Sequence, residues 1–403
     1  MHGSPWAGSE ELWTSVAQVA LQQGYELSCS LFRWPQMAPK IEAVRAKGAE
    51  FHLHGKRWLP SPDKVLSKIL GRTTRVPWTS TALRFSSFAS FFASKPDVIC
   101  ISQGGTYDTI YYKDLWQLLT ASSVPYIVVS HLNTDFFAPE SEYPTYAVDF
   151  FGAAYRCCFV SQHNLQATER QLATSLSNAI VVQNPVNLAG LDLVKYPQEE
   201  EVRFASVARL DAGHKGQDIL FEALAADSWR DRKWRLQLFG VGPNEQYLRR
   251  LAQFYGISAR VEFCGHVNRI ETVWEQNQVL LLGSRYEGTP ISLIEAMVAG
   301  RPSVVTDVGG NSAWLTDGES GFLAEAATAR SFGKALERAW DNRKHWESMG
   351  LRAHDECVSR IDPDPGATLL NLIEEAAFSK AAINNSNRNS QQSPILPQLE
   401  EPQ

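Results

Sequence analysis

The stretch SRYEGTPISLIEAMVAG, residues 284–300, keeps two acids, Glu287 and Glu295, in an otherwise apolar segment. Directly before it, QVLLLG at residues 278–283 has the length and composition of a buried strand. A buried strand that leads through a short turn into a helix is the unit from which parallel α/β sheets are built. The segment therefore predicts an α/β fold, with Glu287 on the strand-to-helix turn.

The helix of this unit is predicted over about residues 290–299. Thr289 is predicted as its N-cap and Pro290 as its first residue, where the missing N–H is no loss. Gly300 predicts its end. Glu295 then lies about 1.5 turns into the helix and roughly 9 Å along its axis from Thr289, about the length of a sugar with its adjoining phosphate. The free amides of the first turn favour an anion there, although two solvated surface acids are the alternative interpretation.

Composition and charge exclude several classes of protein. The 403 residues are enough for two or three domains, and the net charge of −6 argues against a general nucleic-acid binder. The six cysteines show no CxxC spacing and are predicted to be reduced thiols. The start of the chain lacks a signal-peptide pattern, and no apolar run approaches membrane-spanning length. The expected location is cytoplasmic, with peripheral attachment at the inner face of a membrane left open.

Short apolar runs alternate with longer helical patterns along the chain, which indicates βαβ units on parallel sheets. A first helix is predicted at about residues 9–24. A doubly wound domain normally opens with a strand before that helix, so the first strand is expected to be missing. Strands are predicted near residues 26–32, 49–54, 98–102, 126–130, 157–161, 179–183, 203–208, 235–239, 261–264, 279–283 and 303–306.

The domain boundary is predicted in a polar, proline-containing linker at residues 184–200. Low apolar content near the end of the chain predicts disorder there. The predicted units are an N-terminal Rossmann-like domain at 1–187, a C-terminal one at 188–362, a helix at 363–383 expected to cross back to the first domain, and a disordered tail at 384–403.

Two cations follow the strand predicted near residues 203–208. Arg209 would offer planar, bidentate donors and Lys215 a mobile point charge, a pair suited to a diphosphate. Two solvated loop charges are the alternative. Glycines follow the neighbouring strands, and each one alone also fits a tight turn. Together these cations and glycines indicate a ligand site, because ligands of open α/β sheets bind at the carboxyl ends of the strands.

These motifs, at residues 209–216, 240–243, 265–267, 287–295 and 309–310, resemble in order and spacing those of the retaining GT-B glycosyltransferases of family 4, the glycosyl transferases group 1. The resemblance implies two Rossmann-like, doubly wound domains that face each other across a cleft. It implies transfer of a sugar from a nucleotide-diphosphate-sugar to an acceptor, with retention of the anomeric configuration. It also implies that no metal or other cofactor is needed.

By the family pattern, four residues would carry the chemistry. Arg209 and Lys215 would hold the donor diphosphate and stabilise charge on the departing nucleoside diphosphate. Glu287 would face the transferred sugar, with or without a nucleophilic role. His131, after the strand YIVVS, matches a histidine that the family places near the transferred sugar. The alternative for His131 is a histidine that only caps the end of the strand.

The remaining predicted contacts bind the donor. Glu295 would hydrogen-bond the ribose hydroxyls. The two acids of the opening stretch would therefore bind the two sugars of one nucleotide-sugar. Gly8 and Ser9 resemble the family's glycine-rich loop, although Ala7 stands where many members have glycine. The predicted substrate-binding residues are Gly8, Ser9, Gly240, Gly242, Gly265, His266, Val267, Gly288, Thr289, Pro290, Ile291 and Glu295.

The expected acceptor is a saccharide or a lipid-linked molecule. The stretch from Lys64 to Lys95 contains six cations and no acid, which would suit an anionic lipid surface, with a solvated helix as the alternative. Two other functions stay open. One is a nucleotide-sugar epimerase or a phosphorylase on the same architecture, and the other is a non-catalytic protein that binds nucleotide-sugars.

Overall fold

The computed structural model describes residue 6 and residues 8–54, 88–137 and 143–390. The strands are β1 (Ser28–Phe32), β2 (Glu50–His54), β3 (Ile99–Gly105), β4 (Tyr126–Leu132), β5 (Arg156–Phe159), β6 (Ala179–Val181), β7 (Val202–Val207), β8 (Trp234–Phe239), β9 (Val261–Gly265), β10 (Val279–Leu282), β11 (Ser303–Thr306) and β12 (Gly321–Ala324). All the predicted strands are present, with ends that differ by a few residues. The strand β12 is an addition that the sequence did not predict.

Helices connect these strands. They are α1 (Gly8–Gln22), α2 (Pro39–Ala46), α3 (Ala89–Ala93), α4 (Lys113–Ser122), α5 (Tyr143–Gly152), α6 (Gln162–Leu172), α7 (Ala212–Lys215), α8 (Gln217–Leu224), α9 (Glu245–Phe254), α10 (Glu271–Gln276), α11 (Ile291–Val298), α12 (Asn311–Trp314), α13 (Ala329–Asp341), α14 (Trp346–Val358) and α15 (Pro365–Ser390). The described helices include none that is both long and apolar enough to cross a bilayer.

The C-terminal domain is built on one parallel sheet with the strand order β12-β11-β10-β7-β8-β9. The order reverses between β7 and β10, because the chain first adds β8 and β9 on one side and later β10, β11 and β12 on the other. Such a switch point opens a crevice at the carboxyl ends of the two strands. The loop after β7 and the turn after β10 therefore become neighbours, although about 70 residues separate them.

Helices cover both faces of this sheet, so its central strands have no solvated side. In β10, Val279 and Leu281 pack into one core cluster, while Leu280 and Leu282 pack into the cluster on the opposite face. A continuous apolar run is the pattern expected of a strand that is buried on both faces. This is why QVLLLG is apolar throughout.

The N-terminal domain contains a four-stranded parallel sheet, β3-β4-β5-β6, and a separate two-stranded sheet, β1-β2. Within the described ranges no strand precedes α1, and β1 does not pair with β3. The helix α15 packs on this domain, where Leu369 and Leu370 share a core cluster with Leu12 and Ile127. The C-terminal helix therefore returns to the first domain.

Two sequence predictions differ from the structure or fall outside it. The helix α15 continues to Ser390, whereas the disordered tail was predicted from residue 384, because each added residue extends an existing helix by one hydrogen bond. Residues 391–403 lie outside the described residues. Most of the basic stretch between Lys64 and Lys95 also lies outside them, so its predicted lipid contact is not addressed by the structure.

The buried Arg301 joins the linker to the C-terminal domain. Its guanidinium donates hydrogen bonds to the carbonyl oxygens of Val194 and Lys195 in the linker, and to those of Trp274 and Asn277 at the end of α10. Burial lowers the pKa of Arg301 to about 10, which leaves it charged at neutral pH. The linker is therefore fixed against the domain that carries Glu295.

Candidate active site

The loop after β7 is held against the turn after β10 by two glycines. Gly216 ends α7 with a φ of 64°, and a Cβ atom at this position would lie 1.8 Å from the carbonyl oxygen of Gly283. Only a glycine combines this left-handed backbone with so close an approach. Because Lys215 directly precedes Gly216, this contact places Lys215 next to the turn that contains Glu287.

Lys215 and Glu287 form a buried ion pair. The Lys215 Nζ donates to Oε1 of Glu287 over 2.6 Å, and the Ser284 hydroxyl donates to the same oxygen over 2.8 Å. Burial alone would raise the pKa of Glu287, but the Lys215 charge and these two hydrogen bonds outweigh it and lower the pKa. Glu287 is therefore ionised and fixed in orientation at neutral pH.

Aromatic rings from both domains meet beside this pair. The ring of Tyr286 stacks on His214 with centroids 4.2 Å apart, and the ring of Phe136 from the N-terminal domain lies 6.0 Å from Tyr286. Burial, and then the Lys215 charge, lowers the pKa of His214 to about 4, so this ring is neutral. Phe136 is 75% exposed. The cleft edge next to Glu287 is thus an aromatic surface.

Arg209 lies in the same loop with its guanidinium partly free. Its Nη2 is 3.8 Å from Oδ2 of Asp211, and about a third of its side-chain surface is exposed to solvent. By contrast, Arg285 is engaged, because it donates two hydrogen bonds to the Asp218 carboxylate and one to the Ala212 carbonyl. Arg209 remains available to an anion, while Arg285 fixes the loop that contains Lys215.

Gly240 and Gly242 contact protein backbone. A Cβ atom at Gly240 would lie 2.2 Å from the Ala208 carbonyl oxygen, and one at Gly242 would lie 2.4 Å from that of Leu210. The sequence interpretation was that these glycines either admit a ligand or form a tight turn. In the structure the loop on either side of Arg209 packs against them, and their contact with a ligand stays a prediction.

The segment after β9 follows the same edge of the sheet. Gly265 has a φ of 70°, and its carbonyl oxygen accepts a hydrogen bond from the Gly240 N–H over 2.7 Å. His266 is exposed, and Val267 is half-buried against the core. This segment therefore lies beside the loop that contains Gly240.

The start of α11 is where the two domains touch. A Cβ atom at Gly288 would lie 2.0 Å from the His131 carbonyl oxygen, and one at Gly8 would lie 3.4 Å from Cδ1 of Ile291. The Thr289 hydroxyl donates to the carbonyl oxygen of Val160 over 2.7 Å. The turn after β10 therefore packs directly on the N-terminal domain.

The predicted N-cap of this helix was wrong by one residue. Pro290 occupies the N-cap position, and no side chain caps the helix there. The hydroxyl of Thr289, expected to cap its own helix, instead binds Val160 across the domain interface. The Val160 carbonyl on the other domain competed for the same donor, and no local sequence pattern shows such a partner.

His131 is buried on the N-terminal side of the interface. Its Nε2 lies 3.2 Å from the Ser102 hydroxyl. Burial lowers the pKa of His131 to about 4, with Asn184 partly opposing the shift, so the ring is neutral at physiological pH. A neutral imidazole has one donor and one acceptor nitrogen, but it supplies no positive charge.

Glu295 is buried at the domain junction, away from the Lys215–Glu287 pair. Its Oε1 accepts hydrogen bonds from the backbone N–H and the side-chain Nδ2 of Asn187, over 3.0 and 3.1 Å. Burial raises the pKa of Glu295 to about 7, against the effect of these two bonds. The second acid of the opening stretch therefore lies next to the linker.

Several residues at this site were not predicted from the sequence. Ser284 and Arg285 lie in the opening stretch itself, and their polar side chains at the end of a buried strand were a usable signal. No comparable sequence pattern marked His214, Phe136 or Asn187. Among the described residues, no group of three or more His, Cys, Asp or Glu side chains is placed to hold a metal ion.

Comparison with solved structures defines the class of fold. The crystal structure of Anabaena Alr3699/HepE in complex with UDP matches with a TM-score of 0.67 and 17% sequence identity, over 94% of this chain and 98% of that one. The fold is GT-B, which confirms the predicted pair of Rossmann-like domains. Within it, residues 194–355 match the family model for glycosyl transferases group 1.

Curated relatives match part of the chain. An uncharacterized glycosyltransferase of Haemophilus influenzae is 28% identical over 194 residues, which are 46% of this chain and 53% of that protein. The exopolysaccharide phosphotransferase SCO2592 of Streptomyces coelicolor is 33% identical over 124 residues, 30% of this chain and 13% of that protein. The chain therefore spans about half or less of the length of these relatives.

Proposed function

We propose that this protein is a glycosyltransferase that moves a sugar from a nucleotide-diphosphate-sugar to a saccharide acceptor, with retention of the anomeric configuration and without a metal. The buried Lys215–Glu287 pair at the switch point is the observation that carries the proposal. The group 1 match over residues 194–355 and the UDP complex of the Anabaena protein support it.

The diphosphate would lie between the loop after β7 and the start of α11. Arg209 has a partly free guanidinium, and Lys215 can share its ammonium between Glu287 and a phosphate oxygen. The first-turn amides of α11 add donors that favour an anion. Together these groups would stabilise the charge that develops on the departing nucleoside diphosphate.

The transferred sugar would lie over Glu287. In the reaction, the bond between the anomeric carbon and the β-phosphate oxygen breaks, and a bond from the acceptor oxygen to the same carbon forms. The acceptor hydroxyl gives its proton to the departing β-phosphate oxygen, and the nucleoside diphosphate leaves. An ionised carboxylate, fixed by Lys215 and Ser284, can accept hydrogen bonds from the sugar hydroxyls and hold the ring in position.

A saccharide acceptor is favoured over a lipid-linked one by the aromatic surface beside Glu287. Phe136 and Tyr286 present ring faces and edges from opposite domains. Sugar rings expose C–H groups on their flat faces, which pack on aromatic side chains, while their hydroxyls stay available to polar groups. The polar cleft edge at Asp211 offers such a group nearby.

The proposal is tested by thermal-shift measurements with UDP, GDP and ADP and their sugar conjugates. The strongest binder is then incubated with a panel of glycosides, and the product linkage is read by NMR. We expect one nucleotide to raise the unfolding temperature and its sugar to be transferred with retention. No shift with any nucleotide would overturn the proposal. Turnover without acceptor would indicate an epimerase, dependence on free phosphate a phosphorylase, and binding without turnover a non-catalytic protein.

The contact between Gly288 and His131 yields a structural prediction. In Gly288→Ala the new methyl group would clash with the His131 carbonyl oxygen, so the domains must separate at the site. We expect transfer to fall by about 100-fold, since misplacement of about 1 Å can have that effect, while each domain stays folded. Product formation and small-angle scattering measure the two effects.

The matched control is Gly152→Ala. A Cβ atom at Gly152 would meet no atom within 4 Å, and its backbone is not left-handed. We expect wild-type transfer from this variant. Wild-type transfer from Gly288→Ala would show that the domain contact at Gly288 is not needed.

A further inference from the structure

A line of polar contacts crosses the domain junction and ends at Glu295. It begins at Glu11 on α1 and Lys40 on α2, both in the N-terminal domain, where Nζ of Lys40 lies 2.5 Å from Oε2 of Glu11. The same ammonium donates to Oδ1 of Asn187 in the linker over 2.9 Å. The Asn187 amide nitrogen and backbone N–H then donate to Oε1 of Glu295 on α11. Four side chains from four segments are thus joined.

The arrangement places a neutral amide between a cation and an anion. Glu295 is 97% buried, since only 3% of its surface is exposed, and its direct partner among the described residues is Asn187. A buried carboxylate without a cation in contact is costly. The Lys40 charge polarises the amide of Asn187, which strengthens the hydrogen bonds that the amide donates to Glu295.

Two charged groups of the N-terminal domain face Glu295. The charge of Glu11 on α1 raises the pKa of Glu295, and the charge of Lys40 on α2 lowers it. The two effects oppose each other, and the larger cause remains burial. If Lys40 were removed, only the Asn187 hydrogen bonds would oppose the rise in the Glu295 pKa that burial and the Glu11 charge cause.

We propose that Lys40 and Asn187 are positioning residues, which orient the Glu295 carboxylate toward the nucleotide and link that orientation to the placement of the N-terminal domain. The inference rests on the proposed nucleotide-sugar site and adds to it two residues of other segments. Neither residue touches the nucleotide in this scheme. They act because the Lys40–Asn187 bond can form only while α2 lies against the linker.

The experiment compares Lys40→Met with the wild type, with Lys40→Arg as the conservative variant. Lys47→Met is the control, because Lys47 is exposed just past the other end of α2. The first readout needs no nucleotide: infrared difference spectra against Glu295→Gln follow the carboxyl band of Glu295 from pH 5 to 9. We expect a higher titration midpoint in Lys40→Met, and midpoints like the wild type in Lys40→Arg and Lys47→Met.

The second readout is UDP affinity by calorimetry from pH 6 to 9. In Lys40→Met we expect about fivefold weaker binding at pH 7, because a one-unit rise from a pKa of about 7 lowers the ionised fraction of Glu295 from about one half to about one eleventh, with recovery toward pH 9. In transfer assays the KM for the nucleotide-sugar should rise while kcat stays close to the wild-type value. Unfolding temperatures verify that Lys40→Met, at a half-exposed position, remains folded.

Each outcome is decisive. An unchanged midpoint and an unchanged UDP profile in Lys40→Met would overturn the inference. An equal loss of UDP affinity in Lys47→Met would show a general effect of removing a positive charge, and this result would also overturn the inference. A shifted titration midpoint in a protein that binds no UDP would support the coupling of Lys40 to Glu295. The absence of UDP binding would then count against the nucleotide chosen in the proposed function, not against this coupling.

Discussion

Glu287→Gln is expected to abolish sugar transfer while leaving the fold intact. Glutamine has the same shape, and its amide oxygen can still accept hydrogen bonds from Lys215 and Ser284. The negative charge that would hold the sugar is lost. Loss of one positioned electrostatic group in an active site typically costs a factor of about 100 to 1,000 in kcat. Product formation and the unfolding temperature are the two measurements.

Glu337→Gln is the matched control. Glu337 also accepts a hydrogen bond from a serine, Ser228, and pairs with a cation, Arg232, but it lies on α13. We expect this variant to transfer sugar at the wild-type rate. Full activity in Glu287→Gln would refute the role assigned to Glu287, and equal losses in both variants would point to a general effect of removing a charge.

Lys215→Met is expected to remove both activity and stability, and the stability loss should depend on pH. The variant leaves the Glu287 carboxylate buried without its cation, a situation that typically costs about 3–5 kcal/mol. In the wild type the pKa of Glu287 is lowered, so its contribution to stability is present above the ordinary carboxyl pKa and lost at lower pH. Without Lys215 the folded-state pKa should rise above the ordinary value. The loss should therefore be largest at pH 8 and shrink toward pH 4.

The double variant Lys215→Met with Glu287→Gln separates the two effects. With no charge left to bury, the double variant should regain most of the stability but none of the activity, as a double-mutant cycle by denaturant unfolding would measure. Lys233→Met is the control, because its pair with Glu200 is exposed and should contribute little. A stability loss in Lys215→Met that is independent of pH would contradict this account.

The sequence predicted the elements well because their signals are local. The apolar run of β10, the proline at the start of α11 and the glycine after its end each act within a few residues. The alternation of such units sufficed for the α/β class, and the spacing of residues 209–216 and 287–295 sufficed for the GT-B resemblance. Local steric and hydrogen-bonding preferences are properties of a short segment.

Local sequence patterns did not predict which groups the site residues contact. Thr289 has the composition of an N-cap, but the Val160 carbonyl from the other domain takes its hydroxyl. Gly240 and Gly242 have the pattern of a turn that approaches a ligand, and only the structure shows that the backbone at Ala208 and Leu210 also packs against them. In each case a segment distant in sequence supplied the contact.

The amino-acid sequence alone determined that two acids stand with seven residues between them across a strand–turn–helix unit, because turn chemistry and helical rise are fixed by neighbours along the chain. Only the tertiary structure decided what each acid binds: strand order puts β7 beside β10 and gives Glu287 its lysine, while the linker gives Glu295 a neutral amide. The physical reason is that the charge state of a buried carboxyl depends on its surroundings in space, and those surroundings come from four separate segments of the chain.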